Sequence, residues 1–126
     1  MLRDGFVNKM LISVCKSKIH RATVSDCDLN YVGSISIDSD LIKLADLVPF
    51  EKVVVANINN GERFETYVIE AEAGSGTIGL NGAAARKGAK GDLVIIIAYG
   101  LIDKSDAAQL KPAIVHVDTD NKPLDR

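Results

Sequence analysis

Residues 52–71, KVVVANINNGERFETYVIEA, hold two runs rich in β-branched and aromatic side chains, Lys52–Ile58 and Arg63–Ala71, separated by a short polar segment. Such side chains lose rotamer freedom in helices and pack well on a pleated surface. Asn60-Gly61 between the runs predicts a tight hairpin, because both central residues of a type I′ turn need φ > 0. The pattern recurs outward. Met10–Cys15, Ile19–Val24, Ser34–Ile37, Thr77–Leu80, Leu93–Tyr99 and Ala113–Val117 read as further short strands bounded by turn residues. Ser39–Leu47 reads as a helix capped by Asp38 or Ser39, with Leu41, Leu44 and Leu47 on its inner face. Single turns are expected at Ala83–Lys87, closed by Gly88, and at Ser105–Leu110. From Asp118 onward the chain reads as a loose tail. The expectation is a mainly β protein, a small barrel or sandwich, in one domain over 1–126.

Composition agrees. Val and Ile total 25 of the 126 residues against 11 Leu. Hydrophobic residues make up 47% and charged ones 25%, an ordinary globular balance. The net charge of −2 removes the usual electrostatic reason to expect a nucleic-acid partner. The longest apolar run, Leu93–Tyr99, is far short of the about 20 residues a membrane span needs. Cys15 and Cys27 are too few for a disulfide framework. The start, MLRDGFVNK, lacks a basic stretch followed by an apolar one, so the protein is expected in the cytoplasm. Residues 1–9 read as an extension or an upstream start.

Several segments invite a functional reading. Gly74–Gly79 spells G-x-G-x-x-G, but Leu80-Asn81-Gly82 follows where a dinucleotide site needs a long helix, so it reads as a turn. His20, His116, Cys15 and Cys27 have no metal-ligand spacing, and no metal is expected. No G-x-S-x-G elbow is present. In 63–67, strand alternation puts Arg63 and Tyr67 on one face, about 13 Å apart, with Thr66 on the other. An arginine offers a bidentate grip on a carboxylate and a tyrosine offers a proton donor. In Tyr31-Val32-Gly33-Ser34, the Ser34 hydroxyl can attack the Gly33 carbonyl in an N-to-O acyl shift, which glycine favours by lacking Cβ and tolerating strained backbone.

Four segments in register, Lys18-Ile19-His20-Arg21, Tyr31-Val32-Gly33-Ser34, Asn60–Tyr67 and Asn81-Gly82-Ala83-Ala84-Ala85, make the sequence resemble the pyruvoyl-dependent aspartate 1-decarboxylases from about Met10 to about Pro123. The resemblance implies a small double-psi β-barrel, assembled as a homotetramer with active sites between subunits. It implies self-cleavage at Gly33-Ser34 into chains 1–33 and 34–126. The ester made by the acyl shift would undergo β-elimination, and hydrolysis of the resulting dehydroalanine would leave a pyruvoyl group and ammonia. That carbonyl would form a Schiff base with L-aspartate and serve as the electron sink for decarboxylation to β-alanine, a pantothenate and coenzyme A precursor. PLP enzymes that supply such a sink are normally much larger than this chain.

The resemblance also assigns roles. Tyr67 would protonate the carbanion. Thr66 would assist processing near the Gly33 carbonyl, which requires a bulge or a site drawing on both strand faces. Arg63 and Lys18 would hold substrate carboxylates, His20 would lie near the pocket, and Asn81, Gly82, Ala83 and Ala84 would supply hydrogen bonds and close backbone approach. A maturation helper is a further expected partner. Asn30 and Arg86 stand where the family pattern commonly has His. Two other readings compete: a serine hydrolase using Ser34 and His20, and a non-enzymatic β-barrel binding module.

Overall fold

The computed structural model describes residues 10–124. The N-terminal extension expected over 1–9 lies outside the described residues. The elements in chain order are β1 (Leu11–Thr23), β2 (Asp26–Asp28), β3 (Ser34–Asp38), α1 (Ser39–Leu44), β4 (Lys52–Asn57), β5 (Arg63–Ala71), β6 (Ile78–Asn81), β7 (Leu93–Asp103) and β8 (Ala113–His116). Short 3₁₀ turns occupy Gly82–Lys87 and Lys104–Gln109. Among the described residues, eight strands form one sheet in the order β2-β6-β3-β5-β4-β7-β1-β8. The mainly β expectation holds and is consistent with a small barrel. Parallel pairs (β1 with β8, β2 with β6, β3 with β5) interrupt antiparallel ones, so the chain crosses over repeatedly rather than meandering.

The core follows from strand alternation. Val53 and Val55 of β4, Val94, Ile96 and Ala98 of β7, and Ile19 and Ala22 of β1 are buried, while their neighbours point outward. β3 is buried almost throughout, since only Ser36 keeps partial exposure. Its Ile35 and Ile37 are fully buried, each gaining about 1.5–3 kcal/mol by leaving water.

Several local expectations change. The strands expected at 10–15 and 19–24 are one strand, whose pairing with β7 shifts register between Cys15 and Ser17 and between Ile19 and Ala22. Arg21, at φ 60, sits in the second irregularity. Helix α1 ends at Leu44, three residues early, and Leu44 is exposed while Leu41, Ile42 and Ala45 carry the buried face. Asp38 caps the helix, accepting from the Asp40 N–H at 2.8 Å.

Asn60-Gly61 does not form a type I′ turn. Only Gly61 has positive φ, and the buried Asn57 organises a longer loop by accepting from the N–H groups of Asn59 and Asn60. From Asp118 to Leu124 the tail is not loose. Asn121 is buried, donates to the carbonyls of Thr23 and Gly76, and accepts from the Thr23 N–H. The glycine-rich segment is a turn, as expected. Gly74 and Gly76 donate their N–H groups to Asp38, and a Cβ on Gly76 would meet the Asp120 carbonyl oxygen at 2.6 Å.

Candidate active site

β3 runs parallel to β5 with Ile35 opposite Val68, so Ser34 and Tyr67 are the residues one step before the first rung of that ladder. β5 pairs with β4 through Arg63–Tyr67 but with β3 only through Val68–Ala71. The β3-side edge of 64–67 is therefore left without ladder partners. A cavity of about 360 Å³ occurs here, lined by Gly33, Thr66, Tyr67, Ala83 and Ala84, together with Phe64, Glu65 and Lys87. The register of β5 against β4 is unbroken from Arg63 to Tyr67. No bulge re-aims Thr66. The cavity draws on both faces of the strand because the strand's edge is open.

Behind the cavity, Ser34 is buried in an antiparallel pair with Asn81. The Ser34 hydroxyl donates to the Val32 carbonyl at 2.9 Å and accepts from the Asn81 side-chain amide at 3.0 Å. The same amide donates to Ser36 Oγ at 2.8 Å. Both amide hydrogens are thus used, and leaving such a buried donor unpaired would cost about 1–3 kcal/mol. No histidine is among the Ser34 partners, and this geometry does not assemble a serine-hydrolase dyad with His20.

The chain next to Ser34 is confined by Gly82, which has φ +65. A Cβ there would stand 2.7 Å from the Gly33 Cα and 3.1 Å from the Tyr31 carbonyl oxygen. Gly33 is not among the positive-φ glycines, so the left-handed backbone beside the Gly33-Ser34 bond belongs to Gly82. Gly33 is exposed, and the direction a Cβ on it would take is open, while the Gly82 backbone packs against its other side. The donor set around Ser34 fits a hydroxyl or a carbonyl oxygen at this position, because the Asn81 amide supplies hydrogen to either.

Ser34, Asn81 and Gly82 adjoin the lining without being part of it, and Arg63, Lys18 and His20 are outside it within one chain. Arg63 is exposed and its guanidinium lies 3.4 Å from the Tyr99 hydroxyl. Lys18 lies on β1 between β7 and β8, with β7 and β4 separating that strand from β5. His20 lines a different cavity of about 490 Å³ with Arg21 and His116. Its ring packs edge-on against His116 at 5.5 Å and its Nδ1 is buried without a partner. Desolvation, then the charges of Lys18, His116 and Arg21, push its pKa down, favouring the neutral ring.

Sequence reasoning missed Ser36, which shares the Asn81 amide, and Phe50, whose ring meets Tyr67 at 6.2 Å. Alternation from Ser34 to Ser36 was a usable signal for the first. Nothing in the sequence signalled the second. The thiols of Cys15 and Cys27 donate to the carbonyls of Ser17 and Gly88. Among the described residues, no three His, Cys, Asp or Glu side chains gather as a metal site.

The cavity is a small, partly apolar pocket beside a buried serine that opens a strand and follows an exposed glycine. Residues 10–124 match the family model described as aspartate decarboxylase. The chain is 59% identical over 109 residues to an aspartate 1-decarboxylase of Thermoanaerobacter pseudethanolicus, covering 86% of this chain and 93% of that one. It is 62% identical over 107 residues to that of Syntrophus aciditrophicus, covering 85% and 92%. It is 61% identical over 113 residues to that of Caldicellulosiruptor bescii, covering 90% and 88%. The chain belongs to the aspartate decarboxylase family.

Proposed function

We propose that this protein decarboxylates L-aspartate to β-alanine after cutting itself between Gly33 and Ser34. The observation that carries the reading is the cavity beside the buried Ser34, which places Thr66, Tyr67 and the Gly33 peptide around one space. Cleavage starts with Ser34 Oγ attacking the Gly33 carbonyl carbon. The C–O bond forms as the Gly33–Ser34 C–N bond breaks, and the hydroxyl proton passes to the freed Ser34 nitrogen. The Thr66 hydroxyl, lining the same space, donates to the oxygen that gains charge in that step. β-elimination then breaks the Cβ–O bond and releases Gly33 as a carboxylate, and water displaces ammonia from the resulting dehydroalanine. A pyruvoyl group made from Ser34 would supply the electron sink for decarboxylation.

Within this reading the chain's residues divide the work. Asn81 orients the oxygen at position 34. Ala83 and Ala84 keep the wall small, so substrate approaches the main chain. Tyr67 donates the proton to the carbon that loses carboxylate. Arg63 pairs with the retained β-carboxylate, where binding does not hold back the departing group. Lys18 and His20 lie away from the cavity of their own chain and Arg63 is outside its lining, so in this reading a neighbouring copy completes the site. A homotetramer with shared sites meets that need. Exposed Leu101 (73%) and Leu11 (64%), near each other on β7 and β1, offer apolar surface for such contacts. A maturation helper and a cytoplasmic location complete the reading. No helix among the described residues is long and apolar enough to cross a membrane.

Intact mass of the denatured protein tests the proposal. The expected result is two chains divided between Gly33 and Ser34, the larger lighter by one ammonia than a plain serine terminus. Ser34→Ala should remain one inactive chain. A fully uncut native chain that stays uncut with cell extract, or cleaved protein without β-alanine production, would overturn it.

A further inference from the structure

Phe50 stands in an unusual position for a phenylalanine. Its backbone is left-handed at φ 72, a conformation that bulky residues rarely adopt, and its side chain is 75% exposed. Neither feature helps the core. The backbone there is nonetheless firmly held. The Phe50 N–H donates to the Val68 carbonyl at 2.7 Å, and the Val68 N–H donates to the Glu51 carbonyl at 3.0 Å. The Glu51 carboxylate accepts from the Val48 N–H at 3.1 Å and from Lys16 of β1 at 2.9 Å. Lys16 also donates to the Asp46 carbonyl. The segment between α1 and β4 is thereby fixed against β5 at the residue after Tyr67. The phenyl ring so placed lies 6.2 Å from the Tyr67 ring at an interplanar angle of 36°. That is within the range of favourable aromatic pairs.

We propose that Phe50 is a positioning residue for Tyr67, holding the phenol in the orientation from which it delivers its proton. The inference rests on Tyr67 being the proton donor. Tyr67 is only partly buried, and β5 carries no β3 ladder beside it. Without Phe50 the phenol would swing more freely, and fewer encounters would align donor and carbanion. The effect falls on turnover, because Phe50 does not line the cavity where substrate would bind.

Phe50→Asn removes the ring but retains a residue that tolerates positive φ. Rates are normalised to pyruvoyl content by mass. Expected are a fall in kcat of about 3- to 10-fold, of the size of an aromatic pair, KM within about twofold, and a Tm no lower than the parent's. Phe50→Tyr should restore most of the rate. In a Tyr67→Phe background, where residual β-alanine is counted by mass spectrometry, Phe50→Asn should have no further effect. Unchanged turnover in Phe50→Asn, alongside a Tyr67→Phe variant that has lost turnover, would overturn the positioning role alone. So would an equal fall in the Tyr67→Phe background, or a loss that tracks dissociation of the assembly on dilution. Full turnover in Tyr67→Phe would overturn the donor reading itself.

Discussion

Gly82 is pressed against Gly33, such that a Cβ on Gly82 would stand 2.7 Å from the Gly33 Cα and 2.8 Å from its nitrogen. Two glycines far apart in sequence meet backbone to backbone beside the bond predicted to break. Gly82→Ala must therefore move the cleavage segment, besides meeting the cost of φ +65. Together these cost about 1–3 kcal/mol in strain. Cleavage, followed by intact mass, should slow at least about fivefold if that strain falls on the cleavage step. Gly61→Ala is the control, because Gly61 has φ +76 but nothing within 4 Å. It should lose some stability and cleave normally. Normal cleavage in Gly82→Ala would show that the contact does not shape the scissile turn.

Acid should weaken the fold through Asp38. Desolvation of its buried carboxyl acts to raise the pKa. Hydrogen bonds from the N–H groups of Gly76, Asp40 and Gly74, with the Lys122 charge, outweigh it and hold the pKa below the ordinary value. A carboxylate depressed in the folded state adds stability above its unfolded pKa, near about 4, and loses it as pH falls through the folded value. Asp38→Asn should cost about 1–3 kcal/mol at neutral pH. It should also flatten the decline in denaturation midpoint below about pH 4. A variant retaining the parent's full acid sensitivity would assign that sensitivity elsewhere.

Subunit sharing is testable by mixing. Arg63→Ala and Tyr67→Phe are each expected to be nearly inactive after cleavage. Co-expressed, random assembly would give about a quarter of the sites both native residues if each site takes Arg63 from one copy and Tyr67 from another. Activity recovering towards that fraction supports a shared site. No recovery would place both residues in the same chain's site.

The sequence reading succeeded where local chemistry and tertiary placement agree. β5 alternates as written, and the single turn expected at Ala83–Lys87, closed by Gly88, forms over Gly82–Lys87. It failed where a distant partner prevails. Lys16-Ser17-Lys18 looked like a gap between strands, yet Ser17 is buried within β1 because β7 and β8 bond both its edges. The Asn60-Gly61 turn yielded to the Asn57 side chain, which captures the loop's N–H groups. The tail is fixed by Asn121, whose partners Thr23 and Gly76 no local pattern could name. For the site, the cavity residues were legible as motifs. The open edge of β5, which lets Thr66 and Tyr67 share one space, depends on where β3 begins pairing.

β1 is clasped between β7 and β8, and β2 lies along β6, so both strands before Gly33 are bonded to strands that follow Ser34. A nick between those residues would not release the shorter piece. It would remain as a woven-in stave, lost only when the whole fold melts. The new ends would be free to part. A severed peptide bond would thus give local freedom to one reactive terminus while the surrounding framework kept its shape.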